Sequence, residues 1–176
     1  MSDSVLIVDD SLTVRMDLRE AFEDAGFGDV RTYIQSGNVL FSSDKTQAAL
    51  EEEIETFLEA RYETFLVVVV RSHRQLKAIV DTAPKGFGQS PDEYHSDVIF
   101  LRKPLTPKQA MGPVKLRDGV DQAWTGTGVL YFARLSAQRT RSLMNRIVGT
   151  PEYKLMTIRS WTTTTKLLAL LDDGPG

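Results

Sequence analysis

Two adjacent carboxylates, Asp9 and Asp10, close the apolar run Val5–Val8 and form the sharpest local concentration of chemistry in the chain. Mg²⁺ takes oxygen ligands in near-octahedral geometry, so a carboxylate pair needs further oxygens to hold it. Asn38, in a turn expected to lie beside the end of the first strand, offers one more. Asp9, Asp10 and Asn38 are therefore a candidate weak Mg²⁺ site. The competing reading is structural: Asp10 caps the following helix and Asp9 is a solvated strand end, both favoured by the helix dipole. A second set lies near the C-terminus. Lys154, Arg159, Trp161 and Lys166, with the hydroxyls of Thr163 and Thr165, combine cationic donors with an aromatic platform suited to a phosphate or nucleotide. Trp161 can equally plug the interface between two halves of the fold, with the threonines serving as helix caps. No Walker-type or Rossmann glycine pattern accompanies the set.

Hydrolytic and metal-based enzyme chemistry finds few residues. There is no cysteine, which removes disulfides, thiolate metal sites and thiol nucleophiles. His73 is expected in the first turn of a helix and His95 in a connector, with no third ligand at a recognisable spacing. Ser36 lies in a turn without a histidine nearby in sequence, and no G-x-S-x-G elbow occurs.

The elements that position these residues follow from the hydrophobic pattern. Val5–Val8 reads as a buried strand, and Val14, Leu18, Ala21, Phe22 and Ala25 recur at helical spacing ahead of Gly26. Val30–Ile34 and Val39–Phe41 flank Gln35-Ser36-Gly37-Asn38, a hairpin turn. Leu50, Ile54, Phe57 and Leu58 mark a second helix, with Glu51, Glu52, Glu53, Glu55 and Glu59 largely on its wet side. Phe65–Val70 is the next strand. Ser72 and Gln75 have capping-box spacing for a third helix with Leu76, Ile79 and Val80.

The order β-α-β-β-α-β is the split βαβ, or ferredoxin-like, arrangement, with the first strand between the third and fourth. The Gly- and Pro-rich stretch Ala83–Tyr94 reads as a connector. Beyond it come a strand at Val98–Leu101, a helix capped by Thr106-Pro107, and a hairpin of Val120–Trp124 and Val129–Leu135. A helix from Ser136 to Gly149, a strand at Tyr153–Ile158 and a helix at Thr165–Leu171 complete a loose repeat of the first half. The expected architecture is α+β: two ferredoxin-like halves packed together, residues 1–83 and 97–176, joined by 84–96.

The apolar share of 41% and charged share of 26% are ordinary for a soluble globular protein. The net charge of −3 conceals an asymmetry. Met1–Glu63 has fifteen acidic residues against five basic, whereas Phe132–Lys166 has seven basic against one acidic. The basic segment can face an anion, a nucleic acid or the acidic half of its own chain. RNA binding on the sheet is disfavoured by the lack of a stacking aromatic in the first strand. No signal peptide or membrane-length apolar run occurs, so a cytoplasmic monomer without membrane association is expected.

From Phe27 to Leu171 the chain resembles the family known as domain of unknown function 1697. The stretches that carry the resemblance are DVRTYIQSGNVLFSS (29–43), APKGFG (83–88), DVIFLRKPLT (97–106), GVLYFARL (128–135) and IVGTPEYKLMTIRSWTTTTKLLAL (147–170). The opening differs. VLIVDDSLTVRMDLREAFEDAGF (5–27) lacks that family's Gly-rich loop and resembles the first βα unit of a response-regulator receiver, which has a flavodoxin-like fold. In receivers such an acidic pair helps hold Mg²⁺ near a phosphorylatable aspartate, and no corresponding acceptor strand follows here. Together the two resemblances imply an engineered chimera, made to test fold compatibility, with no catalytic function and no required cofactor. Anion, nucleotide or nucleic-acid binding through the basic C-terminal segment is the alternative, and a vestigial Mg²⁺ site at the acidic pair is another.

Overall fold

The computed structural model describes residues 2–8, 17–33 and 37–174. The protein is α+β and divides into two compact units. The first comprises residues 1–77 and 166–176, the second residues 78–165.

The first unit holds one antiparallel sheet in the order β2-β3-β1-β4. Its strands are β1 (Ser2–Val8), β2 (Gly28–Thr32), β3 (Asn38–Ser43) and β4 (Val68–Ser72). Strand β1 pairs with β3, Leu6 opposite Val39, and with β4, Leu6 opposite Val70. Helix α1 (Leu18–Asp24) begins at Asp17, whose Oδ1 accepts the Glu20 N–H at 3.0 Å, and ends before Gly26 at φ +89°. Leu18, Ala21 and Phe22 of α1 are buried with Leu50, Ile54 and Leu58 of helix α2 (Gln47–Tyr62). Phe22, Phe27, Phe41 and Phe57 meet in tilted and edge-on contacts 5.1 to 6.0 Å apart, the favoured geometry for ring quadrupoles. Ser72 and Gln75 exchange the reciprocal bonds of a capping box at the start of helix α3 (His73–Asp81).

The second unit holds an antiparallel sheet in the order β6-β7-β5-β8. Its strands are β5 (Tyr94–Leu101), β6 (Asp121–Gly126), β7 (Val129–Leu135) and β8 (Met156–Ser160). A two-residue turn, Thr127-Gly128, joins β6 to β7, with Gly128 at φ +71°. Side chains alternate across each strand, so one face carries Ile99, Leu101, Leu130, Phe132 and Met156 into a core closed by Ala110, Met144 and Ile147. Ala110 comes from the short helix α4 (Pro107–Met111), started by a full Thr106–Gln109 capping box. Helix α5 (Trp161–Asp172) follows β8; Ser160 Oγ accepts the Thr163 N–H at its start.

Several local expectations are corrected. Ser136–Gly149 is not one α-helix but 3₁₀ turns at Ser136–Arg141 and Met144–Gly149, with a third at Pro151–Leu155. The Leu143 N–H is taken by Asp121 Oδ2 at 2.9 Å, and Pro151 cannot donate, so an i→i−4 ladder does not propagate. Tyr153 belongs to the last of these turns, and β8 starts only at Met156. Strand β4 starts at Val68, leaving Phe65 64% exposed. Glu51 is buried, not on the wet face, because its Oε2 accepts the Val70 N–H at 3.2 Å. His95 lies within β5. Among the described residues no helix is long and apolar enough to cross a membrane.

Candidate functional site

The second unit contains a cleft of about 190 Å³ between its sheet and the loop that precedes β5. The side chains that do not enter the core described above form its floor. Register places Ser96 of β5, Ala133 of β7 and Gln122 of β6 in one row across three strands, with Trp124, Tyr131 and Val98 in the next. Ala133 is the smallest member of its row, and the step between Ser96 and Gln122 is the depression itself. Ser96 is 7% exposed, and its Oγ has no hydrogen-bond partner among the described residues. Buried hydroxyls are nearly always bonded, which sets this one apart; the oxygen itself is sealed beneath the surface. Tyr94 and Trp124 line the walls.

The roof is the stretch Lys85-Gly86-Phe87-Gly88, folded by consecutive tight turns. The Phe87 N–H donates to Pro84 O at 2.9 Å and the Gln89 N–H to Gly86 O at 3.2 Å. Gly86 and Gly88 sit at φ +82° and +73°, a region side chains disfavour. Gly88 is fixed a second way, because a Cβ there would overlap the indole of Trp161. Phe87 plugs the loop into the unit, edge-on to Trp124, Tyr131 and Trp161 at 5.9, 5.3 and 5.2 Å. Tyr131 is held by donating its hydroxyl to Ile79 O at 2.6 Å. The braced loop brings the exposed Lys85 and Ser90 into the same lining as the buried Ser96.

The other face of the same strands carries a different chemistry. His95 Nε2 lies 3.3 Å from Asp97 Oδ1, and Asp97 is buried. Burial pushes the Asp97 carboxyl above the usual range, opposed by the charges of His95, Arg134 and Arg139. Asp121, opposite Arg134 across β6 and β7, uses Oδ2 to accept the N–H groups of Arg117 and Leu143. The sequence His95-Ser96-Asp97 therefore does not assemble a catalytic triad: strand alternation sends Ser96 to the cleft and its two neighbours to the opposite face.

The residues singled out from sequence are distributed as follows. Asp9, Asp10 and Ser36 lie outside the described residues. Asn38 is buried, and its Nδ2 donates to Tyr33 O at 3.2 Å within the hairpin. Arg159 is buried in β8 and donates to Thr157 Oγ1 and Ile158 O at 3.1 and 2.8 Å. Trp161 is half-buried against the glycine loop. Lys154 is exposed on the last 3₁₀ turn, and Lys166 is exposed in the first unit. Thr163 and Thr165 bond within the first turns of α5. His73 Nε2 is 2.6 Å from Asp172 Oδ1 at the surface. Among the described residues no group of three His, Asp or Glu side chains is placed to hold a metal. The cleft residues Lys85, Ser96, Gln122 and Trp124 escaped sequence reasoning. The available signals were the paired glycines of APKGFG and the polar run His95-Ser96-Asp97 ahead of the apolar Val98–Leu101.

The model of the DUF1697 family, described as a protein of unknown function, matches residues 8–131. The match begins within the stretch 5–27 that resembles a receiver and runs on into the remainder. No curated protein matches the chain. Among solved structures, a conserved bacterial protein, SP0830 from Streptococcus pneumoniae, is similar with a TM-score of 0.81 at 22% identity, over 97% of this chain and 98% of that one. That likeness shows a shared fold.

Proposed function

The chain belongs to the DUF1697 family, whose function is unknown, and from that premise we propose that its second unit is a binding module holding a small anion-bearing ligand in the cleft under the Lys85–Ser90 loop. The observation that carries this reading is a cleft whose lining joins an exposed lysine, Lys85, to Ser90, Gln122 and the Tyr94 and Trp124 rings under a braced loop. The site is read as binding rather than catalytic, since the only imidazole on β5 faces away from Ser96.

Each unit is read as a split βαβ, ferredoxin-like fold, a reading supported by the matching strand orders β2-β3-β1-β4 and β6-β7-β5-β8. With the family match starting at residue 8, helix α1 is read as the family's own, while strand β1 up to its last residue lies outside the match.

A thermal-shift series with small carboxylates and phosphates tests the binding reading. At least one is expected to raise the midpoint of the wild type, with the gain reduced at least severalfold in Lys85→Gln. A flat response across the series sinks it.

A further inference from the structure

We infer that the second unit carries a further anion site, on the face away from the cleft, at which Arg134, Arg139 and His95 take the tetrahedral dianion of a phosphate or phosphomonoester. Register builds its floor. His95 of β5, Arg134 of β7 and Asp121 of β6 stand in one row across three strands, and Asp97 follows His95 on the same face. From Ile99 onward that face is apolar, so these four residues form a polar rim at one end of the hydrophobic core. Both carboxylates of the rim are buried and engaged. Asp97 Oδ1 lies 3.3 Å from His95 Nε2, and Asp121 Oδ2 accepts the N–H groups of Arg117 and Leu143.

The cations are differently placed. Among the described residues the guanidinium groups of Arg134 and Arg139 form no hydrogen bond or ion pair, although Arg134 stands directly opposite Asp121. The Nε of the half-buried Arg134 is sealed, whereas its two Nη atoms, equally unbonded, keep access to the surface. Arg139 is exposed, and the charges of both arginines and of His95 bear on the same carboxylate, Asp97. Arg117 and Arg141 are engaged: Arg117 Nε donates to Arg141 O at 3.2 Å, and Arg141 to Gln138 Oε1 at 2.8 Å. Four arginines and an imidazole thus gather about two buried carboxylates, an excess of positive charge. A guanidinium that has lost part of its water and gained no protein acceptor recovers the loss when an outside oxygen bonds to it. His95, its side chain 37% exposed and Nε2 at Asp97, has Nδ1 left for a ligand. One fork suits a carboxylate; two forks and a protonatable imidazole suit a dianion with three free oxygens.

The test is a titration of the full chain at neutral pH and constant ionic strength with inorganic phosphate, glycerol phosphate, acetate and succinate, followed by amide and imidazole chemical shifts. Both phosphates are expected to move the His95 ring signals and the amides of residues 134–139 along saturable curves. Arg139→Gln, at an exposed position, and Arg134→Gln are each expected to weaken phosphate about tenfold, the value of one hydrogen bond to a charged group. Arg134→Lys, which keeps the charge and loses the fork, is expected to recover only part of that loss. Binding of either phosphate supports the site, and the preference between them tells a free ion from an esterified group.

Acetate or succinate binding as tightly as the phosphates overturns the ligand class, and with it this inference. Shifts confined to residues 85–90 and the Trp124 indole leave the cleft reading standing and overturn this site. A response that never saturates, or one that both glutamine variants leave intact, overturns it as well.

Discussion

Asp97 shows how one side chain ties burial to pH. Desolvation raises its carboxyl above the ordinary value, and the charges of His95, Arg134 and Arg139 only partly offset it. A carboxyl whose folded value is raised contributes stability that is fully present below its unfolded value of about 3.9 and is lost as pH rises through the folded one. Asp97→Asn removes that dependence. The stability difference between variant and wild type is expected to shift in favour of the variant between pH 4 and pH 7, measured by urea unfolding at each pH. A difference that stays constant with pH, or shifts the other way, refutes the sign. Ser96, one residue earlier, has the reverse character: it is neutral at every working pH, and what it lacks is a partner, not a charge balance.

At the scale of elements, buried polar groups mark where strands and helices begin and end. Strand β4 lies at the edge of its sheet, and the Val70 N–H is satisfied by a helix side chain, Glu51. Glu51→Ala is expected to cost about 1–3 kcal/mol, because a buried N–H loses its acceptor. Glu51→Gln, which keeps an oxygen there, is expected to cost less. Denaturant midpoints of the two variants measure the difference, and equal losses would show that the amide acceptor does not substitute. At α4, Thr106→Ala breaks a complete capping box and is expected to cost about 1 kcal/mol, read the same way. The 3₁₀ turns after β7 obey the same logic: Asp121 takes a backbone donor that a continuous helix would have needed.

Across the whole molecule, the first unit is made from both ends of the chain, residues 1–77 and 166–176. Arg31 donates to Leu170 O at 3.2 Å and His73 meets Asp172, tying the end of α5 to that unit, and Leu167, Leu168 and Leu171 are buried. At about 1.5–3 kcal/mol for each buried leucine, deleting residues 166–176 removes an amount comparable to the whole stability of a typical domain. The truncated chain is expected to lose cooperative thermal unfolding as followed by circular dichroism; a sharp transition near the wild-type midpoint would contradict this. What the chain's letters conveyed follows the same scale. Long apolar periods such as Leu50–Leu58 and Val129–Leu135, and short capping pairs such as Ser72–Gln75, were legible because their physics is local. Glu51 was misplaced because its partner is nineteen residues away. The cleft was hidden for a similar reason: its floor is drawn from three strands, and only their register brings Ser96, Ala133 and Gln122 into line.

That register also makes β5 a strand with two identities. A period of two residues deals His95, Ser96 and Asp97 alternately to opposite sides. One additional residue accommodated as a bulge between Asp97 and Val98 would exchange the hands of the residues before it: an imidazole and a carboxylate would turn toward the cleft, and the serine would turn into the core. A single insertion, with every existing residue kept, would thereby furnish the floor of the cleft for proton transfer.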